Sequence, residues 1–189
     1  MSSASLLVVT CLAAAALFST PGRAQAQTGQ RGLDLEATCR AASGSNQTEF
    51  HIVLRNDSSA DTAVVVGFAL GNGHAYFPVG VSVRSTTPAG EQKFSYSPVP
   101  PVRVGGRLDP WLVPLPTGAT YSFSVPTTHF WNLSSGYIDQ RERTVRVVLE
   151  ARPVTSVVSD MEGMRLWKVW TGELASTPIK LPADCERGM

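Results

Sequence analysis

Three histidines, His51, His74 and His129, are the side chains best suited to move a proton or hold a metal near neutral pH. Their spacing forms neither His-x-His nor His-Glu-x-x-His, the patterns that put two ligands on one face, and a lone histidine in an alternating stretch reads as structural. A serine nucleophile needs a Gly-x-Ser-x-Gly elbow between a strand and a helix. The chain has none, and Ser134-Ser135-Gly136 lacks that setting. Asp109, Asp139, Asp160 and Glu162 are the carboxylates that glycoside cleavage would require as a pair in space, and no spacing draws two of them together. Gly71-Asn72-Gly73 and Gly105-Gly106 are too short and isolated to cradle a phosphate, and no helix follows them. The chemistry-bearing residues therefore predict a protein that is not an enzyme and uses no metal and no cofactor.

The cysteines carry a different message. Residues 6–18 form an apolar stretch too short for a bilayer core of about 30 Å. The helix-breaking run Ser19-Thr20-Pro21-Gly22 and the small-x-small triplet Ala24-Gln25-Ala26 follow it. This order predicts a secretory signal over 1–26, cut after Ala26, with Ala24 as the alternative cleavage point. Cys11 lies inside the apolar stretch, and Val8-Val9-Thr10 before it are not the small residues a lipoprotein signal needs. No lipid anchor is expected, and no later apolar run is long enough to span a membrane, so the predicted product is soluble and secreted or periplasmic. Processing leaves Cys39 and Cys185, an even pair in an oxidising compartment, which predicts one disulfide. Neither has a cysteine or histidine beside it to suggest a redox centre.

The elements that must position any site follow from pattern and composition. The chain has 189 residues, 43% of them hydrophobic and 16% charged, so residues 27–189 are expected to fold as one domain with a substantial core. The only charge before residue 27 is Arg23, so the sixteen basic and fifteen acidic side chains of the whole chain balance at fifteen each in the mature part. That balance argues against nucleic acid or an anionic membrane as partner.

Apolar residues recur with period two. Leu33, Leu35, Ala37 and Cys39 alternate with Asp34, Glu36, Thr38 and Arg40, and the same holds over 50–55, 121–125 and 145–150. Residues 62–70, 77–84, 93–96 and 166–171 add β-branched or aromatic runs, and Asn, Gly and Pro clusters separate them. About eight strands with one buried face each, and no convincing helix, predict an all-β protein. The expected form is an antiparallel β-sandwich of Ig-like type with two sheets packed face to face, a closed barrel being the alternative.

Residues 98–116 break the rhythm with Pro98, Pro100, Pro101, Pro110, Pro114 and Pro116. They predict a long connection or broken edge strand that either covers a sheet edge or presents a stiff binding loop, with Pro98, Pro101, Arg103, Arg107 and Trp111 as its contact residues. Among the aromatics, Trp167 and Trp170 are three apart and point to opposite faces of a strand. One face must be core, and the tight turn at Gly172 assigns Trp170 to it despite Lys168 on the same side. The other face is either covered or joins Trp131 and Tyr137 with Trp167 in an exposed platform for a sugar or a protein. Asn46, Asn56 and Asn132 open Asn-x-Ser/Thr sequons that suit glycosylation where a host performs it.

Arg107-x-Asp109-x-Trp111-Leu112-Val113-Pro114-Leu115, Gly118-x-x-Tyr121-Ser122-Phe123, Phe130-Trp131 and Asp160-Met161-x-Gly163-x-x-Leu166-x-x-x-Trp170-x-Gly172-x-Leu174-x-Ser176 together resemble exported bacterial Ig-like β-sandwich proteins without an assigned activity. The asparagine turn after the second strand and the turn before an aromatic strand are distantly similar to the bacterial intracellular proteinase inhibitor fold, whose intracellular setting the export signal contradicts. Neither resemblance supplies a functional residue. The reading is an exported binding or structural protein whose partner, a protein or a polysaccharide, stays open. The alternatives are a secreted proteinase inhibitor presenting residues 98–116, a carbohydrate-binding module using exposed rings, and a hydrolase with an unrecognised site.

Overall fold

Alternation of apolar and polar residues builds the first sheet. In the computed structural model, which describes residues 32–42, 47–71, 75–98, 106–138, 143–151, 157–159, 166–181 and 185, strand β1 (Leu33–Ala41) pairs antiparallel with β2 (Thr48–Asn56). The register sets Cys39 opposite Phe50, Ala37 opposite Ile52 and Leu35 opposite Leu54, so one apolar face forms from both strands and is buried. The predicted signal over 1–26 lies outside the described residues. Among the described residues, no helix is long and apolar enough to cross a membrane.

β3 (Thr62–Leu70) departs from strict alternation, with residues 63–67 all buried because strands and turns cover both of its faces. The remaining elements are β4 (Tyr76–Phe77), β5 (Val81–Thr87), β6 (Gly90–Tyr96), β7 (Leu108–Leu115), β8 (Thr120–Pro126), a 3-10 turn (Thr127–His129), β9 (Phe130–Asn132), β10 (Gly136–Tyr137), β11 (Arg143–Ala151), β12 (Val157–Ser159), β13 (Leu166–Trp170), β14 (Gly172–Ala175) and β15 (Ile179–Leu181). The fold is an all-β sandwich, as the period-two pattern requires.

Among the described residues, hydrogen bonding gives three sheets and fifteen strands, where two sheets and about eight strands were expected. One sheet has the order β1-β2-β8. The second runs β10-β9-β6-β5-β11-β14, with β15 also on β11, and the third runs β12-β13-β3-β4, with β7 also on β3. Two- and three-residue strands such as β4, β9 and β10 are too short to show a period, which explains the lower expected count. The β13–β3 pair is parallel, an exception to the expected antiparallel order. The ladder between β3 and β7 shifts register between Val65 and Gly67, and a Cβ on Gly67 would overlap the Phe77 carbonyl, so only glycine fits there.

Core-facing residues of all three sheets form one cluster, including Phe50, Ile52, Val64, Val83, Phe94, Val113, Phe130 and Leu149. Cys39 and Cys185 are joined in a disulfide with a Cα–Cα distance of 4.5 Å, as the even pair predicted, and tie the end of the chain to β1. Trp170 is 3% exposed and belongs to this cluster, while Lys168 stays exposed, which fits its assignment to the core.

Candidate functional site

β7 and β8 are each the last strand of their sheet, and four residues join them. The join is held by Asn56, which is fully buried. Its Nδ2 donates to the carbonyls of Leu115 (2.8 Å) and Ala60 (2.9 Å), and its Oδ1 accepts from the backbone N–H and hydroxyl of Ser58. The Asn56 amide donates to Ala119 O, and its carbonyl accepts from Gly118. One asparagine thus bolts the first sheet to the third, and the Asn56 sequon is a structural joint with no free amide for a glycan. The Asn132 amide is likewise engaged, donating to Lys93 O, and Asn46 lies outside the described residues.

Away from this joint the two edges part, and aromatic rings fill the space. Trp111 on β7 meets Phe123 on β8 at 5.3 Å between ring centroids and Tyr121 at 6.4 Å, both edge to face. Tyr76 of β4 packs on the outer side of Trp111 at 4.9 Å and is 53% exposed. Along β7 the core-facing stripe runs from buried Leu115 and Val113 to half-buried Trp111, and on β8 from buried Val125 to half-buried Phe123 and Tyr121. The result, called the mouth below, is a cluster of four rings between the two edges beyond the Asn56 joint, with Trp111, Tyr121 and Phe123 packed on the core and Tyr76 outside them. Arg107 and Asp109 stand at the far end of β7 and satisfy each other, with guanidinium–carboxylate distances of 2.8 and 3.1 Å.

This placement decides among the alternatives for residues 98–116 in favour of an edge strand over Leu108–Leu115. They are not one presented loop, because Leu108–Leu115 is an edge strand in which Pro110 and Pro114 stand opposite Phe68 and Ala63. A proline without an N–H is tolerated there because nothing needs to pair beyond it. Trp111 is therefore a strand residue aimed at the core, not a loop contact. Pro98 is half-buried after β6, Arg107 is exposed, and Pro101 and Arg103 lie outside the described residues.

The expected platform is also corrected in part. Trp167 is 6% exposed and offers no surface for stacking, so the face of β13 that carries it is covered. Trp131 and Tyr137 are brought together, standing directly opposite on the β9–β10 pair, with Trp131 37% exposed. Tyr76, Tyr121 and Phe123 were not singled out as site residues. Their alternation marks a buried face, and only the knowledge that β7 and β8 end their sheets converts that face into a mouth.

Among the described residues, the candidates for chemistry do not form a catalytic or metal-binding set. His51 Nδ1 lies 3.4 Å from the Ser124 hydroxyl, and His129 packs edge to face on Tyr96. Ser134 donates to Asn132 Oδ1 within a turn, and Gly71 donates its N–H to Arg107 O. His74, Asp139, Asp160, Glu162, Asn72, Gly73 and Gly105 lie outside the described residues. Among the described residues, no three His, Cys, Asp or Glu side chains converge on a common point.

A cavity of about 410 Å³ opens on the other side of β3, lined in part by Val65, Phe68, Val79, Ser82, Lys93 and Glu150. Its carboxylate is committed: Lys93 Nζ at 2.6 Å holds Glu150 below the ordinary carboxylate range against the opposing effect of burial, and Arg84 at 2.8 Å adds to the effect. Such a carboxylate stays ionised at neutral pH and is a poor proton donor. No protein-family profile, curated protein or solved structure matches the chain.

Proposed function

We infer that this chain is an exported binding protein without enzymatic activity, and that its binding surface is the aromatic mouth between β7 and β8. One observation carries the reading: four rings gather where two sheets end, Tyr76 53% exposed over half-buried Trp111, Tyr121 and Phe123, and the ion pair at the far end of β7 is internally neutralised. Half-exposed rings on a rigid frame bury large area on binding at small entropic cost. Trp111 stands steeply inclined, about 68° to 76°, to the rings of Phe123 and Tyr121. Edge-to-face walls of this kind suit apolar side chains, whereas flat sugar faces want coplanar rings. A protein partner is accordingly favoured over a polysaccharide. The disulfide and the apolar segment over 6–18 support export to an oxidising compartment.

The test is a parallel screen of the mature chain, residues 27–189, on a peptide display library and a glycan array. Peptide ligands that quench tryptophan fluorescence and are lost in Tyr76→Ala support the reading; Tyr76 is exposed enough for this change to leave folding intact. Glycan binding that survives Tyr76→Ala but not Trp131→Ala would transfer the function to the Trp131–Tyr137 pair, whose cross-strand placement favours that second reading.

A further inference from the structure

The mouth lies beside an unguarded strand edge. β8 ends its sheet, and its seven residues, Thr120–Pro126, carry no formal charge. Other long edges are protected: β1 presents Asp34, Glu36 and Arg40, and β7 holds Pro110 and Pro114. Charges and prolines are the devices by which sheets discourage a further strand. β8 has a proline only at its last position.

The phase of the β2–β8 ladder is set at the joint, where the Asn56 N–H donates to Ala119 O at 3.0 Å. Hydrogen-bonded pairs recur at every second residue of an antiparallel ladder. Tyr121, Phe123 and Val125 are therefore the residues bonded to Leu54, Ile52 and Phe50, and the N–H and C=O groups of Thr120, Ser122 and Ser124 point away from β2. Pro126 falls in the outward phase, where its missing N–H costs the ladder nothing. Among the described residues, no main-chain hydrogen bond reaches this outward row.

We propose that β8 accepts one further strand, an extended segment of a partner polypeptide with apolar side chains at alternate positions. The proposal rests on the mouth being the binding surface and names how the partner is held. Main-chain bonds to Ser122 and Ser124 supply attachment, and alternate side chains continue the face of Tyr121 and Phe123 toward Trp111 and Tyr76. Side chains on the opposite face adjoin the hydroxyls of Ser122 and Ser124. The ring face offers no partner to a charge, and a charged group would lose hydration there, so the side chains turned toward the rings are neutral; on the opposite face Arg40 Nη2 already donates to the Ser124 hydroxyl at 3.1 Å, with Glu49 paired to it.

The test titrates ¹⁵N-labelled chain 27–189 with a blocked heptapeptide of alternating threonine and valine. Shifts of the Ser122 and Ser124 amides, with at least about tenfold slower hydrogen exchange on binding, are expected. Ser122→Pro removes one outward donor and is expected to weaken binding roughly threefold to tenfold. Because a proline could unfold β8, two N-methylated heptapeptides, blocked at odd or at even residues, repeat the test on the intact protein; one must lose binding and the other keep it. A heptapeptide that quenches Trp111 yet leaves both amides unmoved, with both methylated forms bound equally, overturns strand addition while the mouth reading stands. Absence of heptapeptide binding also overturns it, and the peptide display screen then decides the mouth reading separately. Protection of the same amides in free protein, together with a dimer mass in sedimentation, gives the edge to a second copy and overturns the assignment to a foreign segment.

Discussion

Removing the Cys39–Cys185 bond is expected to cost a third or more of the stability that a domain of this size possesses. The bond spans 146 positions and closes nearly the whole described chain into one loop. Loop-closure entropy grows with the logarithm of that span, which puts the stabilisation at about 5 kcal/mol at 25 °C. Total stabilities run at roughly 5–15 kcal/mol. Both cysteines are buried, so Cys39→Ala/Cys185→Ala adds a small packing loss of the same sign. In urea, the double variant should show a midpoint lowered accordingly and a steeper slope, because its unfolded chain is no longer cross-linked and exposes more surface. A fall in melting temperature of roughly 10–20 °C should accompany it, at about 2–4 °C per kcal/mol. A loss below about 1 kcal/mol with an unchanged slope would refute the loop argument and mean that the tail adds little constraint to β1.

Trp170→Ala should destabilise by about 3–5 kcal/mol, the range for emptying an aromatic core site. Trp170→Phe should cost less, because the buried indole N–H has no partner to lose; equal losses in calorimetry would contradict this. Asn56→Ala removes the buried donor to the Leu115 carbonyl and one of the two donors to the Ala60 carbonyl, and should cost about 2–4 kcal/mol, whereas a surface change such as Asp57→Ala should fall within about 0.5 kcal/mol. The Glu150 carboxyl is held low chiefly by Lys93, so its contribution is full above its unfolded pKa of about 4.3 and fades as pH falls through the lower folded value. Glu150→Gln should flatten the acid limb of the stability curve, and a variant whose acid limb matches the parent would exclude this origin.

The cysteine pair and the all-β class were legible in the sequence, because each depends on local order: two cysteines beyond the apolar segment over 6–18, and alternation with period two. Alternation assigned the buried faces of β1, β2, β8 and β11 correctly, since a strand's two faces are set by its own residues. The same rule could not place Trp167, whose burial depends on which elements cover the far face of β13. For residues 98–116 it left a connection, a broken edge strand and a presented loop all open, since prolines break a central strand but are harmless on an edge, and edge status is a property of the sheet. Tyr76, Trp111, Tyr121 and Phe123 come from three strands that no periodicity connects. Only the order of strands, with β7 and β8 each last in its sheet and joined through Asn56, turned an ordinary core stripe into the mouth. Sequence specifies which residues seek burial; the packing of whole sheets decides where too little partner surface remains to bury them.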